Sequence, residues 1–293
     1  MTASDAIRFT RPATLAAPVA GVIGGTLAAR GGWPPDPLVL GLAVASAILL
    51  TGASNGLNQI ADVETDRINR PERPLPSGRM NLSGAWALTI ALLLCAIVLA
   101  AACGWGYLAC VLLTVPVTAA YSFPPLRTKR LPFAANATIA TPRGLFLVLA
   151  GWAVGGGLFR TEAWILGALA WIYVFGASTT KDFADAEGDR RTGCVTLPIL
   201  WGPRRAARFV APFLVAPYLA LPAFGAVGLL PGGAGPWAVA GLPLAGIGGV
   251  AGALLVRDPA PPASGRPHPA WGLMYLQYTF SHLAAAAVFL ALA

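Results

Sequence analysis

Apolar runs, interrupted by charges or by Gly/Pro clusters, set the rhythm of this chain. A helix needs about 20 apolar residues to cross a bilayer. On that measure the pattern predicts nine spans, near 12–29, 38–57, 84–102, 105–122, 133–158, 162–180, 208–230, 236–256 and 270–293. The third and fourth are divided only by Cys103-Gly104-Trp105-Gly106, and the fifth carries Arg143 inside it. Polar residues are gathered instead of spread. Asp62, Glu64, Asp66 and Glu72 follow the second span, and Asp182, Asp185, Glu187 and Asp189 follow the sixth, so two short stretches hold eight of the twelve acids. A lipid-embedded chain tolerates such clusters only at a polar boundary or in a site.

Composition agrees with the pattern. The chain is 56% hydrophobic and 11% charged, with a mean hydropathy of +0.67, whereas soluble domains are about 25% charged. The expectation is an all-α polytopic membrane protein, residues 1–293 forming one membrane-embedded domain. The 34 glycines and 26 prolines fit membrane helices, where small residues allow close packing and neighbours re-satisfy broken backbone bonds. The nine tryptophans lie mostly near span ends, as interfacial anchors. Cys95, Cys103, Cys110 and Cys194 lack CxxC spacing and read as packing residues, with no disulfide or zinc. Arg8 and Arg11 ahead of an apolar segment resemble a signal peptide, but the run continues to about Ala29 and a retained first span is expected.

The net charge of +8 is an orientation signal in this class and does not indicate nucleic acid. Nine spans place alternate loops on opposite faces. Of the twenty Lys and Arg residues, all but Arg30, Arg143 and Arg160 fall at the N-terminus or in the loops near 66–83, 123–132, 181–207 and 257–269. The positive-inside rule makes that face, with both acidic stretches, cytoplasmic and puts the C-terminus outside, in the cell's inner or plasma membrane. Asp62 and Asp185 occupy equivalent positions after the second and sixth spans, which suits two four-helix units plus one extra helix.

If the second span continues helically past residue 57, Asn58, Asp62 and Asp66 recur at i, i+4 and i+8 and form one stripe, with Glu64 pointing elsewhere. Asp182, Asp185 and Asp189 recur at i, i+3 and i+7, with Glu187 off that face. Oxygen-only clusters without His or Cys suit a hard cation, and Mg²⁺ binds through one or two carboxylates plus substrate phosphates. With Arg67, Arg70, Arg127, Lys129, Arg130 and Lys181 nearby, a diphosphate is the natural guest. Arg143, a charge inside a span, is expected to face a cavity or a partner. His282 reads as a hydrogen-bonded packing residue.

These residues carry a family resemblance. Asn58-Gln59-Ile60-Ala61-Asp62-Val63-Glu64-Thr65-Asp66, followed by Arg67-Ile68-Asn69-Arg70-Pro71, resembles the NDxxDxxxD motif of the UbiA superfamily of intramembrane prenyltransferases, and Asp182 to Asp189 resembles its DxxDxxxD motif. The likeness extends to Arg8-Phe9-Thr10-Arg11-Pro12, Pro74-Leu75-Pro76-Ser77-Gly78 and Tyr121-Ser122-Phe123-Pro124-Pro125-Leu126-Arg127. Gln59 stands where the commonest form has Asp, and the family's YxxxK element is not met after Tyr121, because residue 125 is Pro. Thr141-Pro142-Arg143-Gly144 is similar to homogentisate prenyltransferases, whereas Arg73 to Gly78 and Lys181 to Arg190 are similar to chlorophyll synthase.

The resemblance implies about nine helices enclosing a central cavity. It also implies two Mg²⁺ ions, one on Asn58, Asp62 and Asp66 and one on Asp182, Asp185 and Asp189. Substrate would be bound by Asn58, Arg67, Arg70, Tyr121, Arg127, Lys129 and Lys181, with Asp66, Asp189 and Arg143 in catalytic roles. The substrates would be a prenyl diphosphate and a lipophilic or aromatic acceptor in membrane lipid, with no nucleic acid or protein partner. A terpene cyclase using the same aspartates and a cation-coupled transporter are the rival readings; the second is disfavoured because transport sites belong at the midplane.

Overall fold

The computed structural model describes residues 2–34, 36–260 and 267–293; Arg266, counted with the charged loops, lies outside them. Some helices begin on side-chain caps. Helix α1 (Ala3–Thr10) starts on a Thr2 and Asp5 capping box, and α3 (Pro37–Ala61) on Asp36, whose carboxylate accepts from Leu38 N, with Pro37 in the first turn. A bend of 55° joins the α1 segment to α2 (Ala16–Arg30). The first span is thus bent, because Pro12 follows the end of α1 and opens a short 3₁₀ turn ahead of α2. The other long helices are α5 (Leu82–Ala101), α6 (Trp105–Ser122), α9 (Thr161–Ala177), α12 (Pro203–Ala226), α13 (Ala234–Arg257) and α14 (Pro269–Leu292). Short helices α4 (Val63–Asn69), α10 (Asp182–Arg191) and α11 (Leu197–Trp201) lie between them. Among the described residues, eight helical segments are long and apolar enough to cross a membrane, or nine if the bent pair counts as one span. The protein is an all-helical integral membrane protein.

The predicted fifth span is one helical span, Ala134–Val154, with an irregular middle. It consists of α7 (Ala134–Ala140), a π-helical turn at Thr141–Phe146 and α8 (Leu147–Val154). Pro142 has no N–H to give and its ring displaces the carbonyl of the preceding turn, so the ladder widens there. The expected stripe on one continuous helix is also interrupted. Helix α3 stops at Ala61, Asp62 leaves helical geometry at φ −109° and ψ 13°, and α4 starts afresh. Asp62 and Asp66 stay linked because Asp66 N donates to Asp62 O at 2.7 Å.

Helix α2 is the central pillar. A Cβ on Gly25 would sit 2.8 Å from Gly151 Cα, and one on Gly24 would sit 2.5 Å from the His282 carbonyl. The backbones of α2, α8 and α14 therefore meet through glycine, and Thr26 adds a hydrogen bond to Gly151 O at 3.1 Å. Helix α14 packs back on α2 and closes the bundle. Trp33 and Trp105 are exposed, whereas Trp152 and Trp237 are core residues and not anchors. His282 packs edge-on against Tyr278, but its Nε2 has no hydrogen-bond partner among the described residues, contrary to the expectation.

The loops sort to two ends. Arg160 donates to Ala29 O at 3.2 Å, and Ala293 and Leu292 lie against Gly31 and Gly232. At the opposite end the N-terminus, both acidic stretches and the 123–132 loop are tied to one another: Arg79 to Asp5, Thr65 to Thr192, and Val195 N to Arg130 O.

Candidate functional site

The first acidic stretch is held open by bases. Asn58 Nδ2 donates to Asp62 Oδ2 at 2.7 Å, and Lys129 forms an ion pair with the same carboxylate. Burial pushes the Lys129 ammonium down to about 8. Arg73 grips both oxygens of Asp66, at 2.6 and 2.5 Å. Burial raises the Asp66 carboxyl and Arg73 opposes that shift. Glu64 turns outward to Arg67 at 2.7 Å, and both are well exposed, so Arg67 stands away from the site where a diphosphate contact was expected. Arg127 donates to Ala61 O at 3.4 Å, at the C-terminus of α3.

Helix α10 carries the second stretch, with Asp182, Asp185 and Asp189 on one face and Glu187 turned to Arg191 at 2.6 Å. Three ties bind α10 to α4. Arg70 pairs with Asp185 at 2.9 Å. Thr65 bonds Thr192 at 2.9 Å. The Asn69 amide donates to Asp185 O and accepts from Gly188 N, both at 2.9 Å. Glycine at 188 leaves room for this contact, since a Cβ there would come within 2.5 Å of Asn69 Nδ2 and displace that side chain. Lys181 donates to Tyr121 Oη at 3.1 Å and lies 4.0 Å from Asp182. Tyr121 is thus met by Lys181 from the second motif, in a chain that lacks a lysine four residues after it.

Behind this mouth lies a cavity of about 240 Å³. Arg11, Asn58, Tyr121, Lys181 and Arg143 line its polar part, and Val22, Ala47, Leu50, Val111 and Ala150 its apolar part. The π-helical turn aims Arg143 at the cavity, where its guanidinium donates to Tyr275 Oη at 3.0 Å, while Tyr278 donates to the Arg143 carbonyl. Sequence reasoning gave Arg11 no site role. It sits in the left-handed region at φ 55° as the C-cap of α1, and its side chain has no ion pair among the described residues. The signal was present in its place directly before Pro12, where the helix has to end. Gln59 is no ligand. Its Nε2 donates to Phe9 O at 2.6 Å and to Asn55 O at 3.3 Å, so the departure from Asp at 59 holds α1 over the mouth.

The donors suit a hard cation, being carboxylate and amide oxygens without His or Cys. Among the described residues no three acidic side chains converge as a metal cage. The reason is visible in the ion pairs: Lys129, Arg73 and Arg70 hold Asp62, Asp66 and Asp185. The residues fit such an ion once Lys129 and Arg70 exchange a carboxylate for substrate oxygen.

Known proteins resemble this chain in sequence and in fold. The model of the UbiA prenyltransferase family matches residues 18–274. A digeranylgeranylglyceryl phosphate synthase of Natronomonas pharaonis is 35% identical over 64% of this chain and 66% of its own length. The bacteriochlorophyll synthase 33 kDa chain of Cereibacter sphaeroides is 35% identical over 69% of this chain and 68% of its own. The structure of a UbiA homologue from Archaeoglobus fulgidus bound to GPP and Mg²⁺ superposes with a TM-score of 0.77 at 18% identity, covering 97% of this chain and 99% of that one. The family match spans every long helix from α2 to the start of α14 and takes in both acidic stretches, and on that ground the chain belongs to the UbiA prenyltransferase family.

Proposed function

We propose that this protein is a Mg²⁺-dependent enzyme that moves a prenyl group from a prenyl diphosphate to a lipophilic acceptor with an oxygen-bearing polar end, at the cytoplasmic mouth of the bundle. One observation carries the reading: the two motifs are tied together by Arg70 and Asp185, and Asn58 from the first and Lys181 from the second line one cavity whose walls are otherwise largely apolar. Asn58, Asp62, Asp182, Asp185 and Asp189 would hold the metal; Asp66 joins them only by leaving Arg73. Bound Mg²⁺ would neutralise the diphosphate and stabilise it as a leaving group.

Lys181, fixed by Tyr121, and Arg70 and Lys129, released from their carboxylates, meet the diphosphate oxygens with charge-assisted hydrogen bonds. The allylic C–O bond breaks with its electron pair going to the diphosphate. The apolar wall shelters the cation from water. The acceptor then donates an electron pair to that carbon and loses a proton. Arg143 and Arg11, both facing the cavity, orient the acceptor, and phenol, carboxylate and phosphate groups all suit two guanidiniums. An aromatic ring fits beside Trp271 and Tyr275. A lipid phosphate is supported equally by the name of the archaeal relative.

The test is to cut each cluster separately. Asp62→Asn and Asp185→Asn, each checked for folding, should lower turnover at least about a hundredfold, on the scale of metal-site disruption, and chelation should abolish activity in wild type. Near-wild-type turnover in both variants would sink the reading.

A further inference from the structure

At the motif-bearing end of the bundle, where α11 passes into α12, Arg204, Arg205 and Arg208 lie within five residues and all are exposed. Arg130, also exposed, is brought to this region by the hydrogen bond from Val195 N to its carbonyl at 3.3 Å. Among the described residues none of the four takes part in an ion pair, and Asp62, Asp185 and Glu187 are engaged by other bases.

The placement runs against local preference twice. Arg204 and Arg208 are like charges at i and i+4 on one helix face, which repel. Arg204 and Arg205 also occupy the first turn of α12, where the helix dipole favours anions and disfavours cations. Topology alone would require positive charge on this side of the bundle, anywhere in its loops. It does not require two arginines in the least favourable part of a helix, with a third one turn on.

Beside the arginines is an apolar rim. Phe133, Trp201 and Phe209 form a mutual cluster with ring centroids 5.2 to 5.9 Å apart, and Leu131 and Leu200 are 54% and 47% exposed. Cations next to aromatic and aliphatic side chains match the boundary between lipid headgroups and acyl chains. A soluble acidic protein would satisfy the charge and leave the rim without a partner. We propose that Arg130, Arg204, Arg205 and Arg208 form a docking surface for anionic phospholipid, the arginines meeting headgroup phosphate while Phe133, Leu200 and Trp201 lie against the upper acyl region. The occupant's negative charge offsets both the arginine repulsion and the dipole.

The purified full chain, mixed with equal amounts of phosphatidylglycerol and phosphatidylcholine of the same acyl chains, can be examined by native mass spectrometry for retained lipid. Wild type should retain phosphatidylglycerol preferentially, and added salt should reduce the preference. Each surface arginine is worth roughly fivefold, so Arg204→Gln, Arg205→Gln and Arg208→Gln together should cut the preference by at least about tenfold. The corresponding Lys triple should keep most of it. A control triple on the same end, Arg190→Gln, Arg191→Gln and Arg257→Gln, should leave it nearly unchanged. Melting temperatures in phosphatidylcholine alone check folding, and Arg208→Gln supplies the readout if the triple does not fold. No lipid preference in wild type, an unaffected Gln triple, or an equal loss in the control triple would each overturn the proposal.

Discussion

Arg143 is fixed from both sides of its residue: Tyr275 takes the guanidinium and Tyr278 takes the carbonyl. A charge so held inside a span faces the cavity because lipid would not solvate it. With Arg11 on the same cavity and without an ion pair among the described residues, the side of the cavity that we propose for the acceptor is rich in donors and, among those residues, is lined by no carboxylate. Arg143→Leu should therefore raise the acceptor KM or lower the rate by about tenfold or more, and leave the prenyl diphosphate KM within about twofold, since the carboxylates stay intact. Steady-state kinetics with each substrate varied in turn will separate the two; a larger effect on the diphosphate KM would move Arg143 to the other substrate. The acidic residues and Arg143 were legible in the sequence because charge in an apolar chain is itself a signal. The role of Gln59 as the clasp on Phe9 O and the grip of Arg73 on Asp66 were not, because each depends on a partner that only the folded chain supplies.

At the scale of elements, α4 and α10 act as one unit. Asn69 reads the α10 backbone at two points, Asp185 O and Gly188 N, and Gly188 leaves room for it. Asn69→Ala removes both bonds and should cost about 1–3 kcal/mol of stability, with weaker Mg²⁺ dependence on the scale of about tenfold because the two clusters lose their fixed spacing. Gly188→Ala forces a methyl group into Asn69 and should be damaging in wild type but milder in the Asn69→Ala background, a coupling that a double-mutant cycle in thermal unfolding and Mg²⁺ titration will measure. Additive effects would mean that the contact does not set the geometry. Apolar run length was enough to locate the long helices. It did not show the break at Asp62 or the π-helical turn at Pro142, since hydrophobicity continues across both; Pro142 alone marked the second.

For the whole molecule, the basic loops and both motifs share one end, and Gly31, Gly232 and Ala293 mark the other. By the positive-inside rule the charge bias gives the motif end as the expected cytoplasmic one. Single cysteines near Ser77 and Thr192, in a cysteine-free background, should be shielded from impermeant reagents in intact cells, while one near Gly232 should be labelled. The reverse pattern would place the site away from a cytosolic diphosphate.

Prenyl transfer to an acceptor over a metal-dependent mouth is decided by product analysis. The purified protein in lipid vesicles is given a prenyl diphosphate, with and without phenolic and lipid-phosphate acceptors and with and without Mg²⁺, and all organic-soluble products are identified by mass spectrometry. The expected result is a prenylated acceptor, formed with release of diphosphate only when Mg²⁺ and acceptor are both present. A cyclic hydrocarbon or alcohol formed without any acceptor, and unchanged by Arg143→Leu, would contradict it.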